Sequence, residues 1–178
     1  MLSLLQINEL VDILGKMKNL KRTGWVYRHV QNPESDADHS YSLAILTLLL
    51  APKDLDLLKC LKLALVHDMA EVFYGDYMPG TINPDEKNKK ECAAFNRIAE
   101  SLNRPDFVDL FNEFEAEITP EAKFMKALDR IDNVVTASYY QKEQGIKLVE
   151  EFTQSSMPRI EKLDDDTKQM LLDFIRKL

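Results

Sequence analysis

The segment Ala64–Asp76, ALVHDMAEVFYGD, carries the densest group of chemically reactive side chains in the sequence. It contains an adjacent His67–Asp68 pair, and Glu71 follows four residues after the histidine. Leucines precede the pair at helical spacing, so the pattern predicts that the pair lies in the last turns of a buried helix, with Glu71 on the face of His67. An acidic group in an apolar helix is costly unless it is paired. A divalent cation is the simplest partner, and it leaves Glu71 to transfer protons.

The composition indicates a soluble protein of one domain. The chain has 178 residues, of which 45% are hydrophobic and 30% are charged, and we expect residues 1–178 to form a single domain. The net charge of −7 argues against a nucleic-acid polymer as partner, because such a surface needs a broad basic face. No apolar run in the sequence reaches membrane-spanning length. The two cysteines, Cys60 and Cys92, form no CxxC motif, which favours a reducing, cytoplasmic location.

Helical periodicity dominates the remainder of the chain, and no segment has a convincing strand pattern. A loop is predicted over Tyr77–Asn83, and Asp54 is predicted to cap the third helix. The predicted helices cover Leu2–Asn19, Asp36–Leu50, Leu55–Phe73, Pro84–Leu102, Asp106–Ile118, Glu121–Lys142 and, after shorter elements, Thr167–Leu178. The sequence therefore predicts an all-α, single-domain bundle of at least six helices.

The segment between the first two helices, KRTGWVYRHVQNPESDADHS from Lys21 to Ser40, has no periodicity and is predicted as a loop. It holds the only tryptophan, Trp25, between Arg22 and Arg28. Loops carry function disproportionately, and an aromatic ring among cations suits a base and a phosphate. The alternative is that Trp25 is a hydrophobic plug beneath the loop and that the charges are solvated, and composition alone favours that alternative.

Two further residues are candidates for a metal site. A single histidine is usually a core or surface residue, but His39 lies in the acidic run ESDADHS at the start of a helix that must pack against the third helix. Asp129 lies at the edge of the buried side of the sixth helix, where a solvated pair with a neighbouring charge is the alternative. The order His … His-Asp … Asp on successive helices favours a metal, because these nitrogen and oxygen donors suit borderline-to-hard divalent ions.

Four segments in this order resemble the small HD-domain 5′-deoxynucleotidases, which are HD-domain metal-dependent phosphohydrolases. The segments are Gly24–Trp25, ESDADHS, LVHDMAEVFYGD and KALD, and the resemblance runs from about Lys21 to Tyr140. A buried His-Asp pair alone is a weak criterion, because it occurs by chance. The four segments in order are a strong one.

The resemblance implies a role for each matching residue. The implied metal ligands are His39, His67, Asp68 and Asp129. Glu71 is the implied acid/base, and Asp76 is the implied second catalytic residue at the mouth of the site.

The resemblance also implies substrate contacts. Trp25 would pack on the nucleoside and exclude a ribose 2′-hydroxyl. Members of the family can carry an arginine immediately before this tryptophan, where this chain has Gly24. Arg22 or Arg28 is then the candidate for the phosphate contact. Homodimerisation is likewise implied, with the apolar terminal helices as candidate surfaces.

The histidine count limits the chemistry further. Beyond the two motif histidines the chain has only His29, so a second histidine-rich metal site cannot be built. We therefore expect one divalent ion, Co, Mn, Fe, Mg or Zn, in a phosphomonoesterase that hydrolyses (deoxy)nucleoside 5′-monophosphates. The alternatives are an HD hydrolase of another phosphate ester, such as a dNTP or (p)ppGpp, and a non-catalytic nucleotide-sensing bundle. Glu71 argues against the last, because a structural metal site needs no spare acid/base.

Overall fold

A computed structural model describes residues 2–77, 80 and 82–178. Met78, Pro79 and Thr81 of the predicted loop lie outside the described residues. Within the described ranges the chain forms nine α-helices and one 3-10 helix, and no strand is present apart from a single bridge between Lys21 and Ser35. The helices are α1 (Leu4–Asn19), α2 (Thr23–Tyr27), α3 (Asp36–Leu50), α4 (Leu57–Val66), the 3-10 helix (Met69–Phe73), α5 (Pro84–Leu102), α6 (Asp106–Ala116), α7 (Pro120–Gln144), α8 (Val149–Ile160) and α9 (Asp165–Ile175). The prediction of an all-α fold with at least six helices is confirmed.

The helices form two compact units. The first consists of Met1–Ser40 and Leu65–Asn112, and the second of Tyr41–Ala64 and Glu113–Leu178. A single domain over residues 1–178 stays a prediction. No helix in the described part of the chain is long and apolar enough to cross a bilayer.

The first unit has a core that supports the His-Asp segment. Phe95 of α5 and Phe111 of α6 are buried and stack with their ring centroids 4.3 Å apart. Ile13 of α1 and the 3-10 residues Met69 and Ala70 are buried in the same cluster. Met69 and Ala70, which precede Glu71, are packed in this core. This packing stabilises the 3-10 helix, which is too short to be stable by itself.

The second unit is organised by α7, whose boundaries agree with the sequence. The Thr119 hydroxyl accepts the N–H of Ala122 at 3.2 Å, and Gly145 ends the helix in the left-handed conformation with φ 74°. Both are the expected cap residues. The helix packs along α8, and most of its apolar side chains are buried.

The prediction for the third helix is wrong in two respects. The cap is Asp56 rather than Asp54, since Asp56 Oδ1 accepts the N–H of Lys59 at 3.1 Å. The α-helix also ends at Val66, before the His67–Asp68 pair, and the chain continues as the 3-10 helix. There the N–H of Glu71 donates to the carbonyl of Asp68 at 3.0 Å, a bond of three-residue spacing. Glu71 is therefore placed by a 3-10 turn, and the argument from α-helical spacing to His67 does not apply.

Two smaller differences concern the N-terminal region. The predicted loop after α1 contains the five-residue helix α2. The apolar residues of α1 are also mostly outside the core, because Ile13 and Met17 are its buried residues whereas Leu4, Leu5 and Val11 are exposed.

Candidate metal centre and catalytic site

Three of the four predicted metal ligands come together in the first unit. The Oδ2 atom of Asp68 lies 3.2 Å from His67 Nε2 and 3.8 Å from His39 Nε2. The two imidazole rings meet edge to face with centroids 5.4 Å apart, and the side chains of both are almost fully buried. Two imidazole nitrogens and a carboxylate oxygen around one point are a donor set that fits a divalent cation.

The start of α3 is fixed by a reciprocal cap. The Ser35 hydroxyl accepts the N–H of Asp38 at 3.2 Å, and Asp38 Oδ2 accepts the N–H of Ser35 at 2.8 Å. These backbone bonds also hold the pKa of Asp38 below its usual value. The capping box places Asp36 at the first helical position and His39 one turn further along.

Arg22 enters the site from the segment that precedes α2. Its N–H donates to the carbonyl of Glu34 at 3.1 Å, and the N–H of Asp36 donates to Leu20 at 3.0 Å. This short antiparallel pairing ties the segment to the start of α3. As a result the Arg22 guanidinium donates through Nη1 to Asp68 Oδ2 at 2.8 Å.

Three carboxylates gather beside this arginine. Asp36, Glu71 and Asp76 each offer an oxygen, and these oxygens lie within 4.8 Å of one another. Asp36 is 0% exposed and Glu71 is 6% exposed. Within the described residues neither oxygen of Asp36, nor Oε2 of Glu71, accepts a hydrogen bond. Arg22 Nη1 lies 3.8 Å from both Asp36 and Glu71.

Burial and the neighbouring charges shift the pKa values of these carboxyl groups. Burial, and next the charge of Asp68, raises the pKa of Asp36 to about 7. The same two causes, in the same order, raise the pKa of Glu71 well above its usual range, while Arg22 opposes both shifts. Burial also acts to raise the pKa of Asp68, but His67 and Arg22 outweigh it and hold that pKa well below the usual value. The site thus pairs a carboxyl group whose pKa is lowered with neighbours whose pKa is raised, an arrangement suited to acid/base chemistry.

Asp76 is held by a residue that sequence reasoning did not single out. Its Oδ2 accepts the backbone N–H of Thr23 at 2.6 Å, and its backbone carbonyl accepts the Thr23 hydroxyl at 2.8 Å. Gly75 precedes it with φ 90°, in the left-handed region that glycine adopts without strain. The two bonds fasten the end of the His-Asp segment to the first residue of α2.

The three candidate substrate contacts lie in different environments. Trp25 is 1% exposed, and its indole N–H donates to Glu34 at 2.8 Å. Arg28 donates to the carbonyl of Gly24 at 2.8 Å, so it folds back onto its own helix, whereas Arg22 reaches the acidic centre. Trp25 is therefore buried, as the alternative of a hydrophobic plug beneath the loop predicts. Its contact with a nucleoside stays a prediction.

Asp129, the fourth predicted ligand, lies on α7 in the second unit. It is 8% exposed, its Oδ2 lies 3.8 Å from Arg130 Nε, and its backbone carbonyl accepts the Asn133 side-chain amide at 2.9 Å. Its burial argues against the solvated ion pair that was the alternative. Its role as a ligand stays a prediction.

Asp36 is the functional candidate that the sequence did not reveal. An acidic residue in the first turn of a helix is ordinary, because it interacts favourably with the helix dipole. Its burial depends on the pairing with the segment before α2 and on the 3-10 helix more than thirty residues away. The sequence carries no pattern for either contact.

Comparisons with known proteins identify the family of this chain. The HD domain family profile matches residues 14–170. The chain is 41% identical over 143 residues to 5′-deoxynucleotidase HDDC2 of Homo sapiens, covering 78% of this chain and 69% of the relative. It is 37% identical over 158 residues to 5′-deoxynucleotidase hdd1 of Schizosaccharomyces pombe, covering 84% and 80%.

Solved structures show the same fold. A conserved hypothetical protein from Pyrococcus furiosus superposes with a TM-score of 0.81 at 31% identity, covering 96% of this chain and 99% of that one. A predicted metal-dependent phosphohydrolase from Magnetospirillum magnetotacticum gives a TM-score of 0.70 at 25% identity, with 97% and 92% covered. The chain thus shares an all-α fold with these solved structures. Among proteins of this fold, it belongs to the HD domain family.

The raised pKa of Asp36 predicts a pH-dependent stability for the metal-free protein. A carboxyl group with a higher pKa in the folded state stabilises the fold below its unfolded value of 3.8, and this contribution is lost as the pH rises through about 7. Glu71 acts in the same direction, whereas the contribution of Asp68 is lost only below 3.8. We expect the free energy of unfolding in urea with EDTA to fall by on the order of 1–3 kcal/mol between pH 5 and pH 8.

Asp36→Asn should flatten this dependence, because the amide does not ionise. Asp106→Asn, which changes an exposed aspartate on α6, is the matched control and should leave the slope unchanged. Equal slopes in the wild type and in Asp36→Asn would show that Asp36 is not the titrating group.

Proposed function

We propose that the protein is a metal-dependent phosphomonoesterase that hydrolyses nucleoside 5′-monophosphates, preferentially deoxynucleotides, to nucleoside and phosphate. The observation that carries the proposal is the buried Glu71, whose pKa is raised by burial and by the charge of Asp68, in the same unit as the His39, His67 and Asp68 donors. The names of the two relatives, both 5′-deoxynucleotidases, support the choice of substrate.

The proposed cation site consists of His39, His67, Asp68 and, from the family resemblance, Asp129. When bound, the divalent ion supplies positive charge that stabilises the developing charge on the phosphate and orients a water. Arg22 adds a charge-assisted hydrogen bond to a phosphate oxygen. The side chains of the two histidines are almost fully buried, so water has little access to their rings from outside the site.

Glu71 is the proposed proton carrier. Its raised pKa suits a group that protonates the leaving 5′-oxygen of the nucleoside. Asp76 lies within 4.8 Å of the Glu71 oxygen and is held by Thr23, so it offers a second carboxylate beside the proton carrier.

An open surface groove of about 420 Å³ in the first unit reaches Glu71 and is the candidate site for the base. The groove combines one cation with apolar and aromatic side chains and is lined by Lys16, Asn19, Leu20, Glu71, Val72, Phe73, Tyr74 and Gly75. Such a lining suits an aromatic base carried by an anionic group.

The rival functions fit this site less well. A dNTP or (p)ppGpp carries more negative charge and would need more cations, yet in the segment from Lys21 to Arg28 it is Arg22 that reaches the acidic centre while Arg28 binds Gly24. A structural metal site or a nucleotide sensor has no use for a buried Glu71 whose pKa is raised. The monophosphate accounts for both features.

Glu71→Gln tests the proposal. It should lower the turnover of dAMP with added Mn²⁺ by about 10²–10⁴-fold, the range for a general acid/base, while Mn²⁺ binding persists. Glu91→Gln is the matched control, because Glu91 is also a buried glutamate of the first unit and accepts a hydrogen bond from Tyr74. Phosphate release that is unaffected by EDTA, or turnover of Glu71→Gln within a few-fold of the wild type, would refute the proposal.

Preference for deoxyribose depends on Trp25. A packed, hydrogen-bonded indole can move aside for a 2′-hydroxyl only at the cost of overpacking. Trp25→Ala should therefore lower the ratio of kcat/KM for dAMP over AMP by roughly 5- to 150-fold.

Leu171→Ala, which removes a buried side chain of α9 in the second unit, controls for loss of stability and should leave this ratio unchanged. A ratio near one in the wild type, or one that Trp25→Ala does not change, would assign Trp25 to packing alone.

We further propose a cytoplasmic homodimer in which α1 contributes to the interface. Leu4, Ile7, Val11 and Leu14 repeat at the spacing of a coiled-coil seam, and all four are exposed. A second copy of the same seam would bury them. Light scattering should give a dimer for the wild type and a monomer for Val11→Glu. A monomeric wild type, or a dimeric Val11→Glu, would contradict the proposal.

A further inference from the structure

One oxygen atom of Asp68 lies next to the Arg22 guanidinium and also next to the histidine nitrogens that are proposed to bind a metal. Asp68 Oδ2 accepts a hydrogen bond from Arg22 Nη1 at 2.8 Å. The same oxygen lies 3.2 Å and 3.8 Å from the Nε2 atoms of His67 and His39, the donors of the proposed metal site. Arg22 therefore occupies the atom that a divalent ion would need.

A divalent ion bound to His39 and His67 would approach the same Asp68 oxygen that Arg22 binds. Like charges separated by a few ångströms repel, and the repulsion is stronger in a buried site than in water. A guanidinium that leaves its carboxylate while it stays buried needs another anion, because an unpaired buried charge is costly. The arginine segment is held by backbone bonds from Arg22 to Glu34 and from Asp36 to Leu20, so the new anion must be close by.

Asp36 has the position and the free capacity to receive Arg22. Its Oδ1 atom lies 3.8 Å from the same Nη1 atom, so a shift of about 1 Å brings the pair to hydrogen-bond distance. Asp36 is 0% exposed, and within the described chain neither of its oxygens accepts a hydrogen bond. Glu71 lies equally close to Arg22, but it is the proposed proton carrier and is 6% exposed, whereas Asp36 is fully buried.

We propose that Asp36 is a positioning residue, which accepts the Arg22 guanidinium when a divalent cation binds Asp68. Asp36 thereby favours metal binding without touching the metal, and it keeps Arg22 in the site, oriented for a phosphate. The inference rests on the proposed metal site. A competing explanation is that Asp36 acts directly on the cation, as a ligand or through its charge.

A double-mutant cycle on metal affinity separates these explanations. The Mn²⁺ dissociation constant is measured by calorimetry, without nucleotide, for metal-stripped wild type, Asp36→Asn, Arg22→Gln and the double variant. Asp36→Asn should weaken binding by about 10-fold, because Arg22 then stays on Asp68, and Arg22→Gln should tighten it. With Arg22 replaced, Asp36→Asn should change the constant by less than about twofold, since interacting residues are not additive.

A matched cycle uses Arg104→Gln and Asp106→Asn, which disrupt a two-bond ion pair in the same unit away from the site. It should leave Mn²⁺ affinity unchanged. Thermal unfolding checks that each variant is folded, and Asp36→Ala and Arg22→Met provide a second cycle if one of the first variants is not.

The outcomes distinguish the inference from the proposed function. An equal loss of affinity from Asp36→Asn with and without Arg22 would overturn the inference, because Asp36 would then act on the metal directly. Unchanged affinity in Asp36→Asn would also overturn it, while leaving the metal site intact. A wild type that does not bind Mn²⁺ would overturn the metal site and the inference with it.

Discussion

The site depends on a single carboxylate oxygen, Asp68 Oδ2, on which Arg22 and the two motif histidines converge. Burial acts to raise the pKa of Asp68, but His67 and Arg22 outweigh it and lower that pKa. Burial, and next the charge of Asp68, raises the pKa of Asp36 and Glu71, which lie beside it. Carboxyl groups within a few ångströms of Arg22 therefore have pKa values shifted in opposite directions.

Backbone geometry brings these groups together from distant parts of the sequence. The pairing of residues 20–22 with residues 34–36 carries Arg22 to the start of α3, where His39 lies. The switch from α-helix to 3-10 helix after Val66 sets the position of Glu71, and Thr23 holds Asp76. The 3-10 helix packs against the core around Phe95 and Phe111 through Met69 and Ala70. Local hydrogen bonds therefore set the directions of the side chains, and the apolar core fixes them.

The sequence predicted what depends on periodicity and caps. The predicted range Pro84–Leu102 agrees with α5, and the predicted range Glu121–Lys142 agrees with α7 to within two residues at each end, because helix ends are decided by a few neighbouring residues. The convergence of His39, His67 and Asp68 was also predicted, since the order of motif residues along the chain resembles a known family.

The remaining features depend on contacts that a sequence pattern does not encode. A period of 3.6 cannot distinguish five residues of 3-10 helix from the continuation of α4, so the placement of Glu71 was wrong. The sequence pattern does not indicate whether Arg22 or Arg28 reaches the site. The backbone hydrogen bonds of Arg22 direct its side chain to Asp68. Asp36 is an ordinary first-turn acid until its neighbours from the other segments bury it.

The central claim is that Asp68 supplies the charge that holds a divalent ion beside Glu71. Elemental analysis of the wild type and of Asp68→Ala, both purified with added Mn²⁺, tests this claim most directly. The account predicts bound metal in the wild type and none in Asp68→Ala, because water cannot replace the lost carboxylate charge. Equal metal content in the two proteins would contradict it.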